Sequence, residues 1–455
     1  MGVSLSSNEI FSSREFYRKL ASLVLPIAFQ SFMVSVVGAS DALMLARLDQ
    51  TALSAVSLAT QVLFIANLFF GGFNAGLSIF AAQYWGKGDM LSIEKVFAYV
   101  LRSTLAVSLV FSLLTLFCPS LLMGIYTKDA DLVREGSEYL RIVSPSFIFS
   151  GISFMYQCIF KNSERALVST VISSTCVLLN VVLNAVMIYG LLGFPMLGIR
   201  GAALATSVAR LVELLWTLGT GWKKSPVKLR AGFFFSADKV LVRDFWKYSY
   251  PVFMNQIVWG AGFSMYSVIM GHLGSDAVAA NSIANIVKNL VTCFSIGLAS
   301  GSGIMVGNEL GRGRLDRAKI YGSKICHAAL AIGALMGGVI FLLIPIVSAN
   351  VSMSDEALHY LKWMLIMTTY NMIGKSSNTT TNCGIFPAGG DAKFSMICDI
   401  IDMWVIAVPA GLVSAFVFHL PVLWVFFIIN LDEMIKLPAI YLYYTKYRWL
   451  KNLTR

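Results

Sequence analysis

Read from its first residue, the chain alternates between long apolar runs and short polar breaks. The runs are continuous and about twenty residues long, the length an α-helix needs to cross hydrocarbon. They are not the short alternating segments of a spanning barrel. They begin near Leu20, Leu53, Val96, Tyr139, Leu167, Gly198, Trp246, Ala277, Ile320, Leu358, Asp391 and Pro421. One break is long, Trp222 to Lys247, and carries Lys223, Lys224, Lys228, Arg230, Lys239, Arg243 and Lys247. Six runs lie on each side of it. The pattern predicts an all-α integral membrane protein of twelve transmembrane helices. Its parts are an N-terminal segment (1–19), a first half (20–221), a basic linker (222–246), a second half (247–445) and a tail (446–455).

Composition agrees with that pattern. Of 455 residues, 57% are hydrophobic and 13% charged, and the mean hydropathy is +0.73. Too little polar surface remains for several soluble domains, and disorder, collagen and a coiled coil are excluded. The net charge of +11 reads as membrane topology, not as a nucleic-acid footprint. With the N-terminus inside, the inner segments hold 24 Lys and Arg and the outer segments hold six: Arg47, Lys128, Arg134, Arg141, Arg200 and Lys362. Both termini are therefore expected on the cytoplasmic side of a plasma (bacterial inner) membrane. The seven cysteines lie almost wholly in apolar runs, without CxxC or metal spacing, and read as small hydrophobes. No cleavable signal peptide is expected.

The halves repeat. A shift of 225 lays Leu20–Lys95 on Phe245–Ile320 without a gap. Pro26 then meets Pro251, Gly72 meets Gly297, and Gly76 meets Gly301. Gly86 and Gly88 meet Gly311 and Gly313. Six helices per repeat is an even number, so both repeats point the same way. Parallel repeats about an axis along the membrane normal are a transporter pattern, with a central cavity between the halves.

Charged and amide side chains inside the runs are the candidate chemistry, because an ionised group in the bilayer costs at least about 2.5–3.5 kcal/mol. Asp41 is alone in the first helix. Counting at 1.5 Å per residue, Asn180, Asn184, Gln61 and Thr206 fall at a similar height on helices five, two and six. An acid among amides and a hydroxyl can hold a proton or a hard cation. The alternatives are an Asp41 that turns to the interface or pairs with Arg47, and amides that only join helices. The second half holds a charge cluster, Lys288, Lys375, Asp399 and Asp402. Matching depths predict that Lys375 pairs with Asp399 in at least one conformer. Asp432 and Glu433 lie near Lys436 in helix twelve as a further bridge network. Pro26 and Pro251 are candidate hinges. Asn255, Gln256, Trp259 and Tyr266 are candidate cavity residues on helix seven, and Asn281, Asn285 and Asn289 form a stripe on helix eight.

Several segments together carry a resemblance. LPIAFQSFMVSVVGASDALMLARLDQTALSAVSLATQ resembles the first two helices of the multidrug and toxic compound extrusion (MATE) family. QYWGKGD, NVVLNAVMIYG, GIRGAALATSVAR, NELGRGR and AGGDAKF fit at the expected spacings over essentially the whole chain. The resemblance implies a twelve-helix secondary antiporter, not an enzyme, that exports organic solutes, cationic amphipathic compounds among them, by alternating access. Inward protons or sodium ions would drive it, with no other cofactor, no nucleic acid and a monomer in lipid. It also implies that Asp41 is the coupling acid, with Asn180 beside it. A sodium ion at Asp41 is the one metal expectation. Asn184 departs from a frequent family pattern of a second acid at this position, and helix seven lacks the family's acid. The first departure favours protons, and the second means that the family's second-half coupling site does not carry over. The alternative within the superfamily is a lipid-linked saccharide flippase, which Lys288 and Lys375 keep open.

Overall fold

The computed structural model describes residues 13–46, 50–235, 238–351 and 353–454. Every regular element among them is helical. The first half comprises α1 (Ser13–Ala46), α2 (Gln50–Lys87), α3 (Met90–Phe117), α4 (130–162), α5 (Ala166–Tyr189) and α6 (Gly198–Lys224). The second comprises α7 (Lys239–Gly271), α8 (Ser275–Gly311), α9 (Leu315–Asn350), α10 (355–388), α11 (392–417) and α12 (422–444). Nine of the twelve helices begin earlier than their hydropathy runs. Residues 13–19 already belong to α1, and α7 starts inside the basic linker. Residues 1–12 of the predicted N-terminal segment, and Arg47, lie outside the described residues.

Eight of the twelve are long and apolar enough to cross a membrane, and α4, bent by 48° where Pro145 opens its second piece, makes a ninth. Pro145 cannot donate a backbone bond, so the helix restarts there. Of the other three, α7 and α10 carry polar side chains that the fold turns inward, and α12 is broken at 430–431 into two short helices, Val422–Ile429 and Asp432–Tyr444. α10 and α11 are also wound more widely at Thr379–Ile385, Ile401–Ala407 and Val413–Val417. Each wide turn inserts an extra residue and rotates the next stretch of helix about its axis.

The repeat seen in the sequence is a symmetry of the packing. α1 packs on α8, and α7 packs on α2. A side-chain carbon at Gly72 would collide with Phe253, and one at its counterpart Gly297 would collide with Ala28, the counterpart of Phe253. Gly86 lies against the backbone of Asn308, and its counterpart Gly311 lies against Gln83, the counterpart of Asn308. Reciprocal contacts of this kind are the mark of a two-fold relation.

The cores show how the halves meet. At the end that carries the start of α1, the linker and the tail, two apolar cores are shared. One joins Leu20, Val24 and Ile27 of α1 to Leu298, Met305 and Leu310 of α8 and to Trp449 of the tail. The other joins Phe73, Leu77 and Phe80 of α2 to Phe245 and Val252 of α7. At the far end the cores are separate. Leu45, Val56, Phe70, Leu140 and Ile188 form one within the first half. Ile269, Val287, Ile340, Leu365 and Phe426 form another within the second. The bundle is therefore closed at the linker end and divided at the far end. The tail seals the closed end: Leu453 N donates to Gln83 Oε1 at 2.6 Å, and Gln83 Nε2 donates to Ala388 O at 2.6 Å.

Candidate functional site

In the first half, α1, α5 and α6 bring Asp41, Asn180, Asn184 and Thr206 together. Asn180 and Asn184 are one turn apart on one face of α5, and both are buried. Asn184 Nδ2 donates to Asp41 Oδ1 at 2.6 Å and to Asn180 Oδ1 at 3.4 Å. Asn180 Nδ2 donates to Thr206 Oγ1 at 3.4 Å. Tyr189 Oη, donating to Met44 O at 2.8 Å, ties the end of α1 to α5 and fixes Asp41 over the amides. Asn184 Oδ1 is buried without a hydrogen-bond partner. Asp41 thus lies among oxygen and amide groups that suit either a proton or a hard cation.

Gln61 is a correction. It is exposed on α2, and no hydrogen bond among the described residues joins it to the group. Height along a helix says nothing about the direction in which a residue faces, and α2 presents Ala59, Val62 and Ala66 to the first-half core instead.

Sequence reasoning missed the polar ladder further down the same helices. Arg210 Nη1 bonds Glu213 Oε2 at 2.6 Å within α6. Gln157 Nε2 of α4 donates to Glu213 Oε1 at 2.8 Å, and Gln30 Nε2 of α1 donates to Gln157 Oε1 at 3.0 Å. Glu213 is 3% exposed. The signal was present: Arg210 and Glu213 are charges inside an apolar run, which mark a site wherever they occur in a membrane helix. Pro26 sits one turn from Gln30, and its carbonyl accepts from Thr170 Oγ1 at 2.8 Å. Helix α1 runs unbroken through Pro26, as α7 does through Pro251.

The second half holds a denser network. Its centre is Glu433 and Lys436 of α12. Lys375 Nζ meets Glu433 Oε1 at 2.8 Å, and Lys436 Nζ meets Glu433 Oε2 at 3.2 Å. Lys436 also faces Asp399 at 3.5 Å and Asp402 at 3.6 Å. Asn378 Nδ2 donates to Glu433 Oε2 at 2.9 Å. From α7, Asn255 Nδ2 donates to Asp399 Oδ2 at 2.9 Å, Tyr266 Oη donates to Asp432 Oδ2 at 3.1 Å, and the Trp259 ring lies 5.8 Å from Lys375 Nζ. Three of the predicted cavity residues therefore share one face of α7 and close over the charges. Gln256 points instead toward Gly71 of α2. Lys288 reaches Asn430 Oδ1 at 3.3 Å. Asn281 and Asn285 are half-buried and Asn289 is exposed.

In this conformer Lys375 and Asp399 are not paired. Lys375 belongs to Glu433, and the lysine at Asp399 is Lys436. α10 runs on to residue 388, so Lys375 lies thirteen residues from its linker end. Asp399 lies seven residues from the start of α11. The two are about 9 Å apart in depth by helical rise.

The sequence profile of the MatE family matches residues 26–186 and 251–413, two copies that begin 225 residues apart. The chain is 22% identical to the uncharacterized transporter YisQ of Bacillus subtilis over 435 residues, 95% of each chain. It is 28% identical to a probable multidrug resistance protein NorM of Rhizobium meliloti over 342 residues, covering 71% of this chain and 70% of the relative. Among solved structures, an outward-facing multidrug resistance MATE family transporter of the MOP superfamily superposes with a TM-score of 0.85 at 19% identity. The match covers 96% of this chain and 98% of that one. A MATE protein in its bent conformation matches with a TM-score of 0.85 at 18% identity, over 95% of each chain. The two profile matches, each on one half of a duplicated bundle, place this multi-pass membrane chain in the MatE family.

Proposed function

We propose that the protein is a secondary exporter of organic solutes, driven by inward protons through Asp41, with sodium as the alternative coupling ion. Transport alternates between a form closed at the linker end and a form closed at the far end. The linker end is cytoplasmic in this reading, as the Lys and Arg bias directs, so the form closed at the linker end faces outward. The protein acts as a monomer in the bacterial inner membrane, and no catalytic residue is assigned. Several relatives are named as probable multidrug resistance proteins, which supports drugs or similar organic compounds as cargo.

The observation that carries the coupling proposal is the contact between Asn184 and Asp41. An amide can serve both protonation states of one acid. Its NH2 donates to the carboxylate, and, turned over, its oxygen accepts from the neutral acid. Asn184 Oδ1, buried and unpartnered, is available for that exchange. A proton on Asp41 removes a charge from the space between α1, α5 and α6. That gives the ion a different interaction with each state, which coupling requires. For sodium, the oxygens of Asp41, Asn180, Asn184 and Thr206 form a donor set with a single negative charge. Lys375, one of the two lysines behind the flippase alternative, is taken up by Glu433.

The test is efflux from proteoliposomes under separately imposed pH and sodium gradients. Transport against a solute gradient should follow the pH gradient and be absent in Asp41→Asn, while that variant still folds. Uphill transport by Asp41→Asn with an unchanged pH profile would remove Asp41 from the mechanism.

A further inference from the structure

A groove of about 910 Å³ opens on the outside of the first half at the linker end, between α5 and α6. Neither the coupling acid nor the second-half network touches it. Its lining is ordered by depth. Arg165, just before α5, and Lys223, in the last turn of α6, stand at the rim. Val168 and Val171 come next on α5, and Trp216 lies opposite on α6. Val171 is six residues beyond Arg165, and Trp216 is seven residues before Lys223. Both lie about 9–11 Å deeper than the cations by helical rise. Glu164, next to Arg165, is engaged by Lys19 at 2.7 Å. Lys223, exposed in the last turn of α6, gives the rim its charge. The depth of the groove comes from Gly219, where a side chain would meet no protein atom within 4 Å.

We infer that this groove is a binding site for an anionic phospholipid of the leaflet at the linker end. A cationic rim at the level of the helix ends and an apolar floor reaching inward reproduce the order of an acidic headgroup above its acyl chain. Basic pockets between spanning helices recognise anionic headgroups through this arrangement. The Trp216 indole, 42% exposed, supplies a rigid apolar wall for the upper part of the chain. The site is formed by α5 and α6, the helices that carry Asn180, Asn184 and Thr206. A lipid seated there braces the outer side of the elements that surround Asp41.

Tryptophan quenching by brominated lipid tests this directly. The purified full-length protein is reconstituted in phosphatidylcholine vesicles with rising fractions of brominated phosphatidylglycerol or brominated phosphatidylcholine. The signal of interest is the part of the quenching lost in Trp216→Phe. It should half-saturate at a fraction of the phosphatidylglycerol about fivefold lower than that of phosphatidylcholine, the scale expected for one interfacial cation. Lys223→Gln should bring the two curves together. Gly219→Leu fills the groove from a position open to the outside and adds a better helix former. It should leave thermal unfolding intact and abolish the preference. Identical curves for the two lipids in the parent protein would overturn the inference, as would a preference that survives in Gly219→Leu.

Discussion

Glu433 holds two lysines at once, Lys375 at 2.8 Å and Lys436 at 3.2 Å. Removing its charge strands Lys375 inside the bundle and leaves Lys436 to Asp399 and Asp402. A buried pair broken from one side loses about 3–5 kcal/mol, so Glu433→Gln should lower thermal stability in detergent by that order. Adding Lys375→Met should restore part of the loss, because the stranded charge goes with it. No recovery in the double variant would mean that the pair is not the source of the loss. At Asp41 the expectation concerns specificity. Asn184→Asp places a second carboxylate beside the first, and two acids at that distance must share a proton or take up a cation. The variant should gain a sodium-dependent rise in melting temperature that the parent lacks. The reason these residues were legible is their isolation. Asp41 stands alone in an apolar run, and Asn180 and Asn184 recur at one helical turn. Gln61 was misread because height does not give direction. Arg210 and Glu213 were overlooked although both are charges in an apolar run, and only their partners Gln157 and Gln30 required the fold.

Helix counting worked where the helices are regular and failed where they are not. Twelve runs in the sequence became twelve helical spans, and their order needed no correction. The Lys375–Asp399 pair is absent from this conformer because α10 extends past its apolar run and because α10 and α11 contain wide turns. Depth in residues is then no longer a common scale for two helices. The crossing of α2 and α8 at the linker end offers a test of movement between elements. A side-chain carbon built at Gly307 lies 2.7 Å from Ala82 Cβ, within reach of a disulfide after slight relaxation. In a background without the native cysteines, Ala82→Cys with Gly307→Cys should cross-link on oxidation, stop efflux, and recover it on reduction. Continued transport by the cross-linked protein would show that the linker end does not open during the cycle. Gly86→Ala, whose new methyl would press on the Asn308 backbone, should lower the yield of that cross-link.

For the whole molecule, the sidedness expected from charge can be read by labelling. In intact cells, an impermeant maleimide should modify Asp355→Cys at the far end and spare Lys228→Cys in the linker, each in a cysteine-free background. The reverse pattern would invert the topology. Much at this scale was determined by the sequence alone. Hydrocarbon leaves the backbone no partners except its own, so apolar length dictates spanning helices. The 225-residue repeat dictates two like-oriented halves, and glycines at equivalent positions mark where those halves touch. The tertiary structure alone decided which polar groups meet. It put Asn184, not Gln61, against Asp41, and Glu433 and Lys436 at the centre of the second-half network. It also decided that the two halves share cores at the linker end and keep separate ones at the far end. The physical reason is that spanning is a property of each segment by itself. A buried contact depends on the rotation, bend and winding of two or three helices together, and those are settled only when the helices pack.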